Sequence, residues 1–134
     1  MGRVTTVSNG DMLFESRLGN HTLLVDGPEI WGGQDRGPLP PQLFMASIGS
    51  CVGVLITHYC KEHQLDADGL QVHVDYDVLD QPTSFKNIHV KIVLPKAICD
   101  DAVTLRALEH VAKHCPVHES IFTLERVNFE MATE

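Results

Sequence analysis

Residues 40–63, PPQLFMASIGSCVGVLITHYCKEH, decide the fold: a proline-started, almost continuously apolar stretch with Cys51 at its middle. Pro40 and Pro41 fit the first turn of a helix, where the N–H they lack would have had no partner, and Lys61 and His63 suit the negative pole at its far end. Apolar or small residues occupy every face, which predicts a helix buried on all sides. The run from Leu43 to Tyr59 approaches the roughly 20 residues of a bilayer span. Ser47, Gly49, Ser50, Gly53, Thr57 and His58 interrupt it, and the strands that follow need a helix to cover them, so a membrane span is rejected. Small residues at 46, 47, 49, 50 and 53 predict that another backbone comes close, from the same chain or from a second subunit.

Upstream, Arg3 to Ser8 and Asp11 to Leu18 are β-prone runs joined by Asn9-Gly10, which favours a type I′ turn. Gly19-Asn20 then leads into a third antiparallel strand, His21 to Asp26. From Gly27 to Pro41 the chain, GPEIWGGQDRGPLPP, is too rich in glycine and proline for a regular element, and loops of this length are often functional. A plain connector over a sheet end is the competing reading.

Downstream of the helix, Asp66 to Gly69 makes a turn. Leu70, Val72, Val74, Tyr76 and Val78 alternate with polar residues, as do Ile88, Val90, Ile92 and Leu94 in the run from Phe85 to Leu94, which predicts a long hairpin with one wet face across the turn DQPTS. Asp100 and Asp101 offer N-capping carboxylates for a second helix whose Leu105, Leu108, Val111, Ala112 and Cys115 share a face, with Lys113 and His114 at its C-terminal end. Pro116 stops that helix and starts a short third one, placing Cys115 near an N-cap. Leu124 to Met131 reads as a final strand. The order of elements gives one α+β domain over residues 1–134, with antiparallel pairing and no nucleotide-binding loop.

With 18 acidic and 10 basic residues among 134, the chain is a poor partner for nucleic acid or an anionic membrane. The N-terminal MGRVTTVSNGD has no apolar targeting segment, so a cytoplasmic location is expected. Cysteines at 51, 60, 99 and 115 have neither the density of a disulfide scaffold nor the spacing of a zinc site, and are expected as thiols at rest. Eight histidines include His110 and His114 at i, i+4, but His118 lies beyond the Pro116 break and no acid completes a ligand set, so no metal and no cofactor is expected.

Helix geometry separates the thiols. Cys51 and Cys60, nine residues apart, fall on opposite faces of one helix and cannot bridge each other, leaving Cys115 as the partner for either. A helix N-terminus lowers a thiol pKa and apolar burial raises it, which makes Cys115 the more reactive on these grounds. Packing as a small hydrophobe is the ordinary role of each cysteine. His58, seven residues beyond Cys51 on the same face, is either a thiol-tuning group or a hydrogen-bonded core histidine.

The residues GGQDRGPLPPQLFMASIGSC and KHCPVHES resemble the osmotically induced and organic hydroperoxide resistance proteins, the OsmC/Ohr-like family. The marks are Pro40, Leu43, Ala46, Gly49 and Cys51, then Cys115, Pro116 and Val117; the GG-x-D-x-G-P run is similar to the family's less characterised branch. The resemblance implies antiparallel sheets wrapped around long central helices in an intertwined homodimer, with active sites at the subunit interface. It implies a thiol-dependent peroxidase that reduces a small organic hydroperoxide. Cys51 would be the peroxidatic thiolate, Cys115 the resolving thiol, and an external dithiol the reductant. The family's arginine and glutamate would stabilise the thiolate. Arg36 and Arg17 are the candidates for the first; Pro41 and Gln42 stand where the second belongs, with Glu29 as a possible substitute. The alternative is a non-enzymatic binding protein that uses the interface pocket for an apolar or electrophilic ligand.

Overall fold

The computed structural model describes residues 2–80, 83–95, 101–124 and 127–133. They form two compact units divided between Ala46 and Ser47. The first unit holds β1 (Val4–Ser8), β2 (Phe14–Leu18) and β3 (His21–Val25), an antiparallel sheet in the order β1-β2-β3. The helix α1 (Pro40–Glu62) starts there and runs on into the second unit. That unit continues with an antiparallel hairpin of β4 (Gln71–Asp80) and β5 (Thr83–Val93), then α2 (Ala102–Lys113) and α3 (Pro116–Thr123). The fold is α+β.

The first hairpin departs from the expected two-residue turn. Ser8 pairs with Phe14, and residues 9–13 form the connection, with Gly10 at φ 92° and Asp11 at φ 53°. A turn at Asn9-Gly10 alone would pair Ser8 with Asp11 and reverse the faces of β1, because side chains alternate along a strand. The observed register instead sets Val4 and Thr6 opposite Leu18 and Ser16 and leaves Leu13 buried in the loop. Between β2 and β3, Gly19 takes φ 62° in a two-residue turn, the glycine-first geometry of type II′.

The central helix is buried along one row, not on all sides. Met45, Ile48, Val52, Ile56 and Cys60, spaced three or four residues apart, are buried, while Val54 and His58 are 66% exposed. Two of the small residues make room for side chains of β4. A Cβ at Gly49 would lie 3.4 Å from Val74 Cγ2, and one at Gly53 3.9 Å from Val72 Cγ2, so these glycines let the valines of β4 seat against the helix. By length and composition α1 would also suit a bilayer; here its buried row packs on protein, with Val52, Ile56 and Cys60 joined by Leu108 of α2 and Cys115. Gln64, at φ 54°, ends the helix, and Leu65 N–H returns to Cys60 O at 2.8 Å in the six-to-one bond of a Schellman turn.

In the second hairpin Val72 faces Ile92, Val74 faces Val90, and Val78 faces Phe85. The odd-numbered Phe85 shares a face with even-numbered residues because β5 carries an extra residue between the Asp75–His89 and Asp77–Lys86 pairs. Asn87 absorbs it at φ 53° and donates to Asp77 Oδ2 at 2.9 Å. Asp101 caps α2, accepting from Thr104 N–H at 2.6 Å; Asp100 and Cys99 lie outside the described residues.

The expected final strand is absent among the described residues. Residues 127–133 have no regular structure, and Val127, Phe129 and Met131 are 69%, 90% and 96% exposed. Their alternation is that of a strand, but a strand needs a ladder to satisfy its backbone, and among the described residues nothing pairs with them.

Candidate active site

Two cysteines meet in the second unit. Cys51 lies midway along α1 and is half-buried; Cys115 is fully buried between α2 and α3. Pro116 fixes the second position. A residue preceding proline is driven out of the helical region, and Cys115 accordingly stands extended at φ −63°, ψ 125° as the N-cap of α3, with its carbonyl accepting from Glu119 N–H at 2.9 Å. Cys115 joins Val52, Ile56, Cys60 and Leu108 in the buried cluster, and Cys51 packs against it.

Packing thus selects the pair that helix geometry left open. The Cys115 side chain and the Val117 backbone N–H both lie near enough to the Cys51 sulfur to act on its protonation. Burial pushes the Cys51 thiol above the ordinary cysteine value and the Cys115 side chain pushes it further; the Val117 N–H opposes them. Cys60 is likewise raised, by burial. The arrangement holds Cys51 as a thiol with an acceptor already in place, so oxidation of one sulfur would leave the other within reach.

The remaining candidates have structural partners of their own. Arg36 forks onto Asp26, with Nε 2.8 Å from Oδ2 and Nη2 3.2 Å from Oδ1. Arg17, on β2, is 59% exposed and touches Glu15 at 3.4 Å. Gln42 occupies the third position of α1, and its Oε1 accepts from Leu39 N–H at 2.8 Å, the reciprocal half of a capping box. Glu29 opens a 3-10 turn, Glu29–Trp31, and is exposed. His58 is not a core histidine: its Nε2 lies 3.2 Å from Glu62 on the exposed side of α1. His110 and His114 lie with ring centroids 4.2 Å apart and planes tilted by 40°, with His114 Nδ1 2.8 Å from His110 O.

Asp26 is the residue that sequence reasoning passed over. Read only as the end of a strand, it is 1% exposed and organises the loop that follows. Its carboxylate accepts from the N–H groups of Gly27, Gln34 and Arg36 at 2.8, 3.0 and 3.1 Å as well as from the Arg36 guanidinium. Asp26-Gly27-Pro28 ahead of a loop containing one arginine was the available signal, since a buried carboxylate requires such a partner. The glycines are the steric counterpart. A Cβ on Gly33 would collide with Gly27 O, and one on Gly37 with Leu24 O.

A cleft of about 250 Å³ opens in the second unit, floored by Ile48, Val52, Val90, Ile92 and Ala112 and rimmed by Glu109, Lys113 and His118. It shares Val52, Val90, Ile92 and Ala112 with the cluster around the two thiols.

Comparison with known proteins places these features in a family. The OsmC-like protein family model matches residues 32–130. A putative osmotic stress induced and detoxification response protein from Psychrobacter arcticus is 21% identical, with a TM-score of 0.79 over 90% of this chain and 88% of that one. An organic hydroperoxide resistance protein from Legionella pneumophila is 20% identical, with a TM-score of 0.60 over 90% and 88%. The organic hydroperoxide resistance protein OhrB of Bacillus subtilis is 24% identical, with a TM-score of 0.55 over 90% and 89%. At these identities the solved structures share the fold. No curated protein matches the sequence.

Proposed function

The chain belongs to the OsmC-like protein family, and from that premise we propose that it is a thiol-dependent peroxidase for organic hydroperoxides. The observation that carries the reading is the proximity of the Cys51 and Cys115 thiols around one buried cluster. Cys51, as thiolate, attacks the distal oxygen of ROOH. The O–O bond breaks, the alkoxide takes a proton and leaves as alcohol, and Cys51 becomes a sulfenic acid. The Cys115 thiolate then attacks the Cys51 sulfur and displaces hydroxide, which leaves as water. An external dithiol reduces the disulfide by exchange, restoring both thiols and becoming a disulfide itself.

Activation must overcome the raised Cys51 thiol, and a cation is the usual means. Of the two candidate arginines, Arg36 is held by a fully buried carboxylate and Arg17 by the partly exposed Glu15, so Arg17 is the freer cation. The functional unit is a homodimer with its sites at the interface between copies. Purified protein supplied with an organic hydroperoxide and a dithiol such as dihydrolipoamide is expected to consume peroxide in repeated turnovers, and Cys51→Ser to abolish this. Consumption no faster than that of the Cys51→Ser variant would sink the proposal.

The raised Cys51 thiol favours one second reading, a non-enzymatic binding protein for an apolar or electrophilic ligand at the same interface. Alkylation separates the two. A Cys51 that reacts no faster than a free cysteine at neutral pH, in the native assembly, supports binding over catalysis.

A further inference from the structure

The loop after β3 displays its apolar residues outward. Ile30 and Trp31, in the turn Glu29–Trp31, are 88% and 70% exposed. Yet the loop is firmly built: Asp26 ties both of its ends, Gly32 and Gly33 N–H close the turn onto Glu29 O and Pro28 O at 3.0 Å, and Asp26 N–H bonds Pro38 O at 3.1 Å. A tryptophan held out on a preorganised loop loses little freedom on docking, which is the character of an interface anchor.

The second unit carries a matching recess. Its cleft, at about 250 Å³, falls below the roughly 300–1,000 Å³ of pockets that hold a drug-sized ligand, a size suited to one or two side chains. The floor is aliphatic, and Lys113 on the rim spends one of its three donors on Glu109 at 3.0 Å. The loop tip offers the complement, an acid (Glu29) beside two large apolar residues.

We infer that the Ile30–Trp31 tip of a second copy seats in this cleft, with Glu29 directed to Lys113, so that each site is walled in trans by the other copy's loop. The catalytic consequence rests on the peroxidase reading above; the contact itself does not. The wall would exclude water beside the two thiols, and the site is incomplete in a lone chain.

Trp31 is the only tryptophan in the chain, so its fluorescence reports the contact without labels or peroxide. At concentrations where sedimentation gives two copies, the emission is expected to be blue-shifted and several-fold less accessible to acrylamide than free tryptophan. Lys113→Glu is expected to weaken association roughly tenfold and to shift the emission to the red as dimer is lost. Ala112→Phe, which fills the cleft, does the same. Should one variant fail to fold by circular dichroism, the other and simple dilution carry the test. A fully quenchable Trp31 in the dimer, a protein that is monomeric at every concentration, or a shielded Trp31 that neither dilution nor substitution releases overturns the inference. A dimer with a fully quenchable Trp31 would leave peroxide turnover untouched, and failure of turnover would leave this contact standing.

Discussion

Arg36 grips Asp26 through two parallel hydrogen bonds, and the carboxylate it reaches is buried from solvent. A guanidinium fork on a carboxylate is among the stronger polar contacts in proteins. It turns the glycine-rich stretch from an apparent connector into a shaped loop, and it gives Arg36 a structural partner.

That pair makes the fold acid-sensitive. The Arg36 hydrogen bond, against the cost of burial and with help from the N–H groups of Arg36, Gln34 and Gly27, holds the Asp26 carboxyl well below the usual carboxylate range. A depressed folded-state pKa contributes stability above the unfolded value, about 3.9, and that stability is lost as pH falls through the folded value. Asp26→Asn should therefore lower the unfolding midpoint at neutral pH and flatten its fall in acid. Urea unfolding from neutral pH downward checks both; an unchanged acid limb would remove Asp26 from the account.

Steric fit of the same loop predicts intolerance at two glycines. Gly33→Ala and Gly37→Ala each force a methyl group against a backbone carbonyl, and overpacking of this kind costs about 1–3 kcal/mol. Gly2→Ala, which meets nothing within 4 Å, is the matched control in thermal unfolding.

Gln42 separates a cap from a catalytic group. Loss of its bond to Leu39 N–H in Gln42→Ala should cost about 0.5–1 kcal/mol, as for other N-terminal caps. Gln42→Glu, which keeps the acceptor, should restore it. A variant that changes the Cys51 alkylation rate and leaves stability alone would contradict the capping role.

The one-sided burial of α1 is open to a similar check. Ile56 is fully buried in the cluster that holds both thiols, so Ile56→Ala should cost about 2–5 kcal/mol in chemical denaturation. A loss under 1 kcal/mol would mean that the buried row is not the core.

Much of this architecture could be read from the chain because period and punctuation agreed there. Pro40, the alternation through Val72–Val78 and the Asp101 cap each fixed an element locally. The bulge at Asn87 was hidden, since a phase change between Phe85 and Ile88 looks like noise until the partner strand is known. All-round burial of α1 is not met within one chain, where Val54 is exposed. The tail 127–131 has the pattern of a strand but finds no partner among the described residues, and pairing is a property of the assembly. At the candidate site, the resemblance to the family singled out both cysteines, whereas helix geometry alone left open which thiol lies beside Cys115. The hub at Asp26 and the Val117 N–H were not legible, because they are made by loop closure and by backbone.

The two-cysteine chemistry is tested most directly by oxidising fully reduced protein with one equivalent of an organic hydroperoxide and mapping disulfide-linked peptides by mass spectrometry. The proximity of the two thiols predicts a Cys51–Cys115 disulfide as the main product and a trapped sulfenic acid at Cys51 in Cys115→Ser. A disulfide through Cys60, or a Cys51 that stays reduced while peroxide persists, would contradict it.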